Sequence, residues 1–257
     1  MAGGPSAEGD CVRLSMHRSY GSRWPAVEGA AARCRRLATL VLALAALAAA
    51  PLTASLAVAT GAAAEPLKVV ALGDSLTAGY GLSGSAAFPA RLQKALAERG
   101  LDVEIVNAGV SGDTASGGRD RLDWSVPDGT QAVILELGAN DALRGIAPEV
   151  TRAALDDILT RLKARNIPVL LAGMYAGRNF GADYTKAFDR IYPELAEAHG
   201  VPLYPFFLDG VAGEAKLNQR DGIHPTAEGV EEIVRRMLPA VERFLRGVAA
   251  ARVGSAR

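Results

Sequence analysis

The chain has 257 residues, with 28 basic and 28 acidic side chains, and 49% of its residues are hydrophobic. Six of the basic and three of the acidic side chains lie in the first 64 residues, which leaves residues 65–257 with a net charge near −3. This balance gives no reason to expect nucleic acid or an anionic membrane surface as a partner. The segment 65–257 is long enough for one domain with a real core.

The first 64 residues have the pattern of an export signal. Arg35 and Arg36 precede an uncharged stretch at 37–64, which is rich in Ala and Leu and ends in three alanines. This pattern predicts a signal peptide with an extended basic region, so the mature protein is expected to be periplasmic or secreted, without stable membrane insertion. A retained membrane anchor is the alternative, because the uncharged stretch is long enough to span a bilayer. Pro51 and the many alanines argue against an anchor.

The predicted mature domain has few residues that could support thiol or metal chemistry. The two cysteines, Cys11 and Cys34, both lie before the apolar stretch. Residues 65–257 keep only His199 and His224 as imidazole ligands, which is too few for a typical zinc site. His199 is interpreted as a helix C-terminal residue, where a cation is favoured. We therefore predict no metal and no cofactor.

Apolar runs of strand length alternate with helical patterns along residues 65–250, which we predict to form one domain. Strands are predicted at 67–72, 102–107, 132–137, 168–173 and 202–207, and helices at 86–99, 148–165, 184–199 and 226–247. This alternation, with short connections, predicts a parallel sheet with helices on both faces. The tail at 251–257 is small and polar and is predicted to fray.

Candidate functional residues follow the predicted strands. Ser75 comes after the first strand, Gly112 lies in a cluster after the second, and Asn140 follows the third. Asp221 and His224 come after the fifth strand, beyond a loop. Because sites in parallel sheets form at the C-terminal ends of the strands, these residues are expected to converge.

The Asp–His pair has the spacing of a general base and the residue that orients it. Asp221 and His224 stand three apart across a glycine, so the carboxylate reaches Nδ1 while Nε2 stays free to accept a proton. Such a base activates a serine hydroxyl, which makes Ser75 the candidate nucleophile. Taken singly, the pair also fits an N-capping turn and Ser75 a helix cap. Asp74, next to Ser75, is interpreted as a structural hydrogen-bonding group.

Acyl transfer also needs hydrogen-bond donors for the oxyanion of the tetrahedral intermediate. A backbone N–H at Gly112 and the side-chain amide of Asn140 are candidate donors. Taken singly, Gly112 also fits a turn and Asn140 a cap. Their occurrence at successive strand ends, together with Ser75 and the Asp–His pair, favours a catalytic interpretation.

Four sequence blocks resemble, in order, the GDSL or SGNH family of serine hydrolases. They are Gly73-Asp74-Ser75-Leu76, Asn107 to Thr114, Gly138-Ala139-Asn140-Asp141, and Asp221 to Pro225. The similarity spans 67–245 and points to the bacterial periplasmic branch that includes thioesterases, lysophospholipases and arylesterases. It implies a flavodoxin-like three-layer α/β/α sandwich with a five-stranded parallel sheet.

The resemblance implies roles for the catalytic residues. Ser75 would be the nucleophile, His224 the general base and Asp221 the residue that orients the base. The N–H groups of Ser75 and Gly112 and the side chain of Asn140 would form the oxyanion hole.

The resemblance also implies a substrate-binding loop after the Asn140 block. Leu143 and Ile146 would contact the acyl chain and set the chain-length preference. Ala139 stands where the thioesterase branch commonly has a second glycine, which is expected to narrow the floor of the site.

The implied function is hydrolysis of a small acyl ester or thioester through an acyl-enzyme on Ser75, by a monomer. Carbohydrate O-deacetylation is one alternative, and a non-catalytic binding protein, which would require loss of a catalytic residue, is another. Acyl transfer to an alcohol would use the same intermediate. The segment 79–84 matches the G-x-G-x-x-G dinucleotide fingerprint. It begins too far beyond the first strand, and the second strand lacks the required acid, so we reject that interpretation.

Overall fold

The computed structural model describes residues 65–255, and the predicted export signal at 1–64 lies outside them. Within this range five parallel strands form one sheet, in the order β2-β1-β3-β4-β5. The strands are β1 (Leu67–Gly73), β2 (Val103–Gly109), β3 (Ala132–Glu136), β4 (Val169–Ala172) and β5 (Leu203–Tyr204). The predicted five-stranded parallel sheet is therefore confirmed.

Helices connect the strands. They are α1 (Ser75–Ala78), α2 (Phe88–Glu98), α3 (Ala115–Asp120), α4 (Leu122–Ser125), α5 (Ala139–Arg144), α6 (Pro148–Ala164), α7 (Ala182–Asp189), α8 (Ile191–His199) and α9 (Ala227–Ser255). Short 3₁₀ turns lie at Gly84–Ala86 and Arg178–Phe180. None of the helices in the described part of the chain combines the length and apolarity needed to cross a bilayer.

The strand order places the helices on both faces of the sheet. The connection from β1 to β2 moves in one direction along the sheet, whereas those from β2 to β3, from β3 to β4 and from β4 to β5 move in the other. Because such crossovers are right-handed, α2 covers one face and α6 the opposite face. The last helix, α9, packs against α2, and α8 packs against α6. All five residues of β3 are buried between these layers, as the apolar run at 132–135 predicts for the first four; the fifth is Glu136.

The strand order reverses beside β1, whose neighbours are β2 and β3. A crevice opens at this point because the connections that follow β1 and β3 leave toward opposite faces of the sheet. Residues that follow β1, β2 and β3 therefore meet at one edge of the sheet.

Two strand predictions differ from the structure by more than one residue at an end. The second strand was predicted to end at 107 but continues to Gly109, because Asn107, Ala108 and Gly109 pair with Ala71, Leu72 and Gly73 of β1. The fifth strand was predicted at 202–207 but pairs with β4 only at Leu203 and Tyr204. Beyond it, Phe207 donates to the carbonyl of Gly173 in a loop contact, which ends the regular ladder.

Two helix predictions also differ. The stretch 184–199 forms two helices with a break at Arg190, because Pro193 has no N–H to donate to the carbonyl of Asp189. The last helix was predicted to end at 247, with a frayed tail at 251–257, but it continues to Ser255. Alanine and arginine, both good helix formers, dominate 249–252 and explain the extension.

Candidate active site

Ser75 stands directly after β1, at the first position of α1. Asp74 caps this helix, and its Oδ1 accepts a hydrogen bond of 2.9 Å from the N–H of Leu76. A Cβ on Gly73 would lie 2.1 Å from Oγ1 of Thr77, so only glycine fits at the end of the strand. The short cap and the tight packing fix the backbone of Ser75, which is 8% exposed.

His224 and Asp221 lie in the loop before α9. Oδ1 of Asp221 accepts hydrogen bonds from the N–H groups of Ile223 and His224, at 2.9 and 3.0 Å. Its Oδ2 lies 2.7 Å from Nδ1 of His224. Gly222 takes φ +69°, the left-handed conformation that the turn requires. The hydrogen bond from the His224 N–H, followed by those from its ring and from Ile223, lowers the pKa of Asp221 to about 2.

Nε2 of His224 lies 2.9 Å from Oγ of Ser75. The structure thus joins Asp221, His224 and Ser75 in one hydrogen-bonded chain, as the sequence predicts. With Nδ1 held by a carboxylate, the ring presents Nε2 to the serine hydroxyl. This arrangement is suited to proton transfer from the serine during nucleophilic attack.

The three predicted oxyanion donors lie at the C-terminal ends of β1, β2 and β3. The N–H of Ser75 is at the start of α1, and Gly112 takes φ +84° in the loop after β2. Nη2 of Arg144, the last residue of α5, donates to the carbonyl of Gly112 at 2.9 Å. Asn140, on the same helix, donates from Nδ2 to Oδ2 of Asp74 at 3.2 Å, which leaves its second amide hydrogen for a substrate.

Arg121 braces the Gly112 loop, a role that sequence analysis did not predict. Its buried guanidinium pairs with Asp113 and donates to the carbonyls of Ala108 and Gly73, at 2.9 and 2.8 Å. The loop after β2 is thereby tied to the ends of β1 and β2. No motif marks Arg121, because it follows a short helix that the sequence pattern does not reveal.

A cavity of about 260 Å³ opens beside Ser75, Asn140 and His224. Apart from these polar groups its walls are largely apolar: Leu76, Ala139, Ala142, Leu143, Met174, Tyr175, Phe206, Leu208, Ala212 and Ile223. The predicted contact residue Leu143 is among them. Gly177 and Asn179, from the loop after β4, complete the lining.

Ile146, the second predicted contact residue, is not among the residues that line this cavity. It follows Gly145, which ends α5 in a left-handed conformation with φ +64°. Its carbonyl accepts a hydrogen bond of 2.9 Å from the hydroxyl of Tyr184. The backbone of Ile146 therefore stabilises the loop after α5 through this hydrogen bond.

Two acidic side chains are buried beneath Ser75. Asp74 and Glu136 are both fully buried, and Oε2 of Glu136 accepts hydrogen bonds from the N–H of Asp74 and the hydroxyl of Thr77, at 3.3 and 2.7 Å. Burial raises the pKa of Asp74 to about 6. Burial, reinforced by the charge of Asp74, raises the pKa of Glu136 well above its ordinary range. Through the hydrogen bonds to Asp74 and Thr77, Glu136 supports the start of α1.

Replacing Glu136 with glutamine is expected to reduce the loss of stability at rising pH. Because the pKa of Glu136 is raised on folding, its contribution is fully present below its ordinary pKa and declines as pH rises toward the folded-state value. Glutamine has the shape of the protonated acid and does not titrate. Measured by thermal unfolding from about pH 5 to about pH 8, the Tm of Glu136→Gln should gain on that of the wild type. The exposed Glu104→Gln on β2 is the control, and a pH-independent difference for Glu136→Gln would contradict the prediction.

No group of three or more His, Cys, Asp and Glu side chains within residues 65–255 is arranged to hold a metal ion. The site consists of a serine, a histidine, a carboxylate and hydrogen-bond donors at the switch point of a parallel sheet. These features define a serine hydrolase.

Residues 71–231 match the GDSL-like lipase/acylhydrolase family. This match covers more than half of the chain, so the protein belongs to that family, as the sequence blocks predicted. It is an enzyme that hydrolyses ester bonds.

Named relatives support this assignment. The chain is 40% identical over 185 residues to the esterase TesA of Pseudomonas aeruginosa, across 72% of this chain and 91% of the relative. It is 42% identical over 168 residues to thioesterase 1/protease 1/lysophospholipase L1 of Escherichia coli strain K12, across 65% and 78%. The crystal structure of AlinE4, an SGNH-hydrolase family esterase, is 47% identical, with a TM-score of 0.60 over 70% of this chain and 96% of that one.

Proposed function

We propose that Ser75 is the nucleophile, His224 the general base and Asp221 the residue that orients it. The observation that carries this proposal is the unbroken hydrogen-bonded chain from the Asp221 carboxylate through both ring nitrogens to Oγ of Ser75. Oγ attacks the carbonyl carbon of the substrate while Nε2 of His224 accepts the hydroxyl proton. Asp221 stabilises the imidazolium that forms, and the carbonyl oxygen becomes an oxyanion.

The oxyanion is stabilised by the N–H groups of Ser75 and Gly112 and by the side-chain amide of Asn140. Each such donor typically lowers the barrier by about 2.7–4 kcal/mol. Collapse of the tetrahedral intermediate breaks the bond to the leaving oxygen or sulfur, which takes the proton from His224. The acyl group remains on Oγ of Ser75 as an ester.

Water completes the cycle. His224, neutral again after protonating the leaving group, removes a proton from a water molecule that attacks the acyl carbon. As the second tetrahedral intermediate collapses, the bond between the acyl carbon and Oγ of Ser75 breaks. The imidazolium of His224 returns its proton to Oγ, and the carboxylic acid is released. An alcohol in place of the water gives acyl transfer by the same steps.

We propose an acyl ester or thioester with an apolar chain as the substrate. The cavity beside Ser75 supports this proposal, because its lining has few polar groups beyond the catalytic ones. A carbohydrate would place most of its hydroxyl groups against apolar residues such as Met174, Phe206 and Leu208. Outside the catalytic set, only Asn179 and Tyr175 among the lining residues have polar side-chain atoms. The relatives named esterase and thioesterase 1/lysophospholipase L1 also favour acyl substrates over sugar acetates. A non-catalytic binding protein would require the loss of a catalytic residue, and none of the predicted catalytic residues is missing.

Replacing Leu143 with serine is expected to change the chain-length preference. Leu143 lines the cavity and is 53% exposed, so a bound acyl chain would cover it further. Each buried CH₂ is worth about 0.8 kcal/mol, so kcat/KM for an octanoyl ester should fall about 3- to 10-fold, with little change for an acetyl ester. Rates across a series of p-nitrophenyl esters measure this effect.

Val150→Ser is the matched control, because Val150 is 48% exposed on α6 and is not among the cavity residues. Its chain-length profile should follow that of the wild type. Equal losses for acetyl and octanoyl esters in Leu143→Ser would contradict an acyl-contact role. The predicted role of Ile146 is tested with Ile146→Ser in the same series.

Covalent labelling tests the proposed nucleophile. A fluorophosphonate probe should react with Oγ of Ser75, which displaces fluoride from phosphorus as the hydroxyl proton passes to His224. Mass spectrometry of the digested protein should find one probe per chain, on the peptide that contains Ser75. A label on another residue, or labelling that persists in Ser75→Ala, would overturn the assignment.

We further propose that the enzyme acts as a monomer in the periplasm or outside the cell after removal of residues 1–64. The basic and apolar pattern of that segment supports export. N-terminal sequencing of protein recovered from cell fractions tests cleavage. Recovery of the uncleaved chain in the membrane fraction would instead support an anchored form, and light scattering on a sizing column tests the monomer.

A further inference from the structure

Tyr80 is a large aromatic residue that lies outside the hydrophobic core. It is 51% exposed, yet its ring lies against the imidazole of His224, with the ring centroids 4.5 Å apart and the planes inclined by 36°. Solvent covers half of the residue, so burial in the core does not account for this placement. Its placement is instead associated with the contact to His224.

The backbone on both sides of Tyr80 is built to hold the ring in place. Gly79 and Gly81 have φ values of +81° and +74°, which side chains larger than hydrogen rarely tolerate. Nε2 of Gln219 donates to the carbonyl of Tyr80 at 2.7 Å, and the N–H of Gln219 donates to the carbonyl of His224 at 2.7 Å. Gln219 thus ties the Tyr80 segment to the histidine loop.

The contact matters most when the histidine is charged. In the proposed reaction His224 becomes an imidazolium each time it accepts a proton from Ser75 or from water. A cation within about 6 Å of an aromatic centroid is attracted by the negative face of the ring. The Tyr80 ring therefore favours the charged over the neutral imidazole.

We propose that Tyr80 is a positioning residue for the hydrolysis, which holds the His224 ring in line with Ser75 and stabilises its protonated form through the aromatic face. This inference rests on the proposed role of His224 as general base. Two carboxyl groups of the described residues also interact with the His224 ring: Asp221, at Nδ1, and the buried Asp74. Substitutions at Tyr80 leave both carboxyl groups in place.

The test compares Tyr80→Leu with Tyr80→Phe in the full chain, with p-nitrophenyl butyrate as substrate. Leucine keeps an apolar side chain but removes the ring face, so kcat should fall about 5- to 20-fold while KM stays within about twofold. The acid limb of the profile of kcat/KM against pH should move to lower pH, because the imidazolium loses a stabilising contact. Phenylalanine should restore both quantities, since it retains the face.

Tyr175→Leu is the matched control. Tyr175 is 49% exposed and lines the cavity, but its ring contacts Phe206 and not His224. Its loss is expected to change KM and to leave the acid limb in place. Thermal unfolding of each variant shows whether the fold is retained.

Ser75→Ala in the same assays distinguishes a failure of the proposed function from a failure of the role proposed for Tyr80. Full activity in that variant would overturn the proposed function and this inference with it. An inactive Ser75→Ala, together with a Tyr80→Leu variant that keeps the wild-type kcat and acid limb, would overturn only the role of Tyr80. A loss of kcat in Tyr80→Leu without a shift of the acid limb, or a loss of equal size in Tyr80→Phe, would also overturn it.

Discussion

The Ser75→Ala variant is expected to hydrolyse esters with a kcat lower by about 10⁵- to 10⁶-fold, because no other group takes over the nucleophilic attack. Residual turnover would come from the oxyanion donors and from substrate binding, which still favour attack by water. KM should change little, since the hydroxyl contributes mainly to the transition state. Stopped and continuous assays with p-nitrophenyl butyrate cover the required range of rates.

Ser85→Ala is the matched control for this substitution. Ser85 is exposed, and its hydroxyl contacts only that of Ser83 among the hydrogen bonds described. It should retain the wild-type rate. If Ser75→Ala kept more than a few per cent of the activity, another nucleophile would have to be sought.

The second large effect is expected for Asp221→Asn, with a fall in kcat of about 10⁴-fold. Asparagine keeps the oxygen that accepts from the N–H groups of Ile223 and His224, so the loop should retain its shape. Its amide, however, donates toward Nδ1 and favours the imidazole tautomer in which Nε2 carries the hydrogen. That tautomer cannot accept the proton of Ser75.

The lowered pKa of Asp221 bears on the pH dependence of the wild-type enzyme. Because hydrogen bonds from His224 and Ile223 lower that pKa to about 2, the wild-type carboxylate stays ionised throughout the usual assay range. Protonation of Asp221 should therefore not contribute to the acid limb of the wild-type rate profile.

The described part of the chain contains a second Asp–His pair that serves as control for Asp221→Asn. Nε2 of His199 lies 2.6 Å from Oδ1 of Asp156, on the helices α8 and α6. Asp156→Asn should alter the environment of His199 without loss of turnover. A rate for Asp221→Asn close to that of Asp156→Asn would contradict the orienting role of Asp221.

The sequence was most informative at the ends of the strands. The continuous apolar run at 132–135 predicts a strand buried on both faces. Parallel packing then brings the C-terminal end of this strand beside that of β1. Ser75 and Asn140 could be placed in one crevice on these grounds. The spacing of Asp221 and His224 predicts their hydrogen bond because the contact is local. The contact between His224 and Ser75 was expected because both residues follow strands of the predicted parallel sheet, whose C-terminal ends lie together.

Other features depend on contacts that leave no local pattern. Glu136 ends an apolar strand, and only the three-dimensional structure shows that it is fully buried beneath the nucleophile. Arg121 braces the oxyanion loop through carbonyl groups, which every residue possesses. The break at Arg190 was missed because apolar periodicity continues across it, although Pro193 removes the hydrogen bond that would continue the helix.

The two residues that we propose to exchange the proton, Ser75 and His224, are 149 positions apart in the chain. Ser75 comes from the first strand of the sheet, whereas His224 precedes the last helix. A chain that has not yet folded therefore has the serine without its proposed base, and we expect it to be inactive toward acyl esters. Hydrolytic activity appears only when both ends of the domain have assembled, so the return of turnover during refolding reports completion of the whole fold.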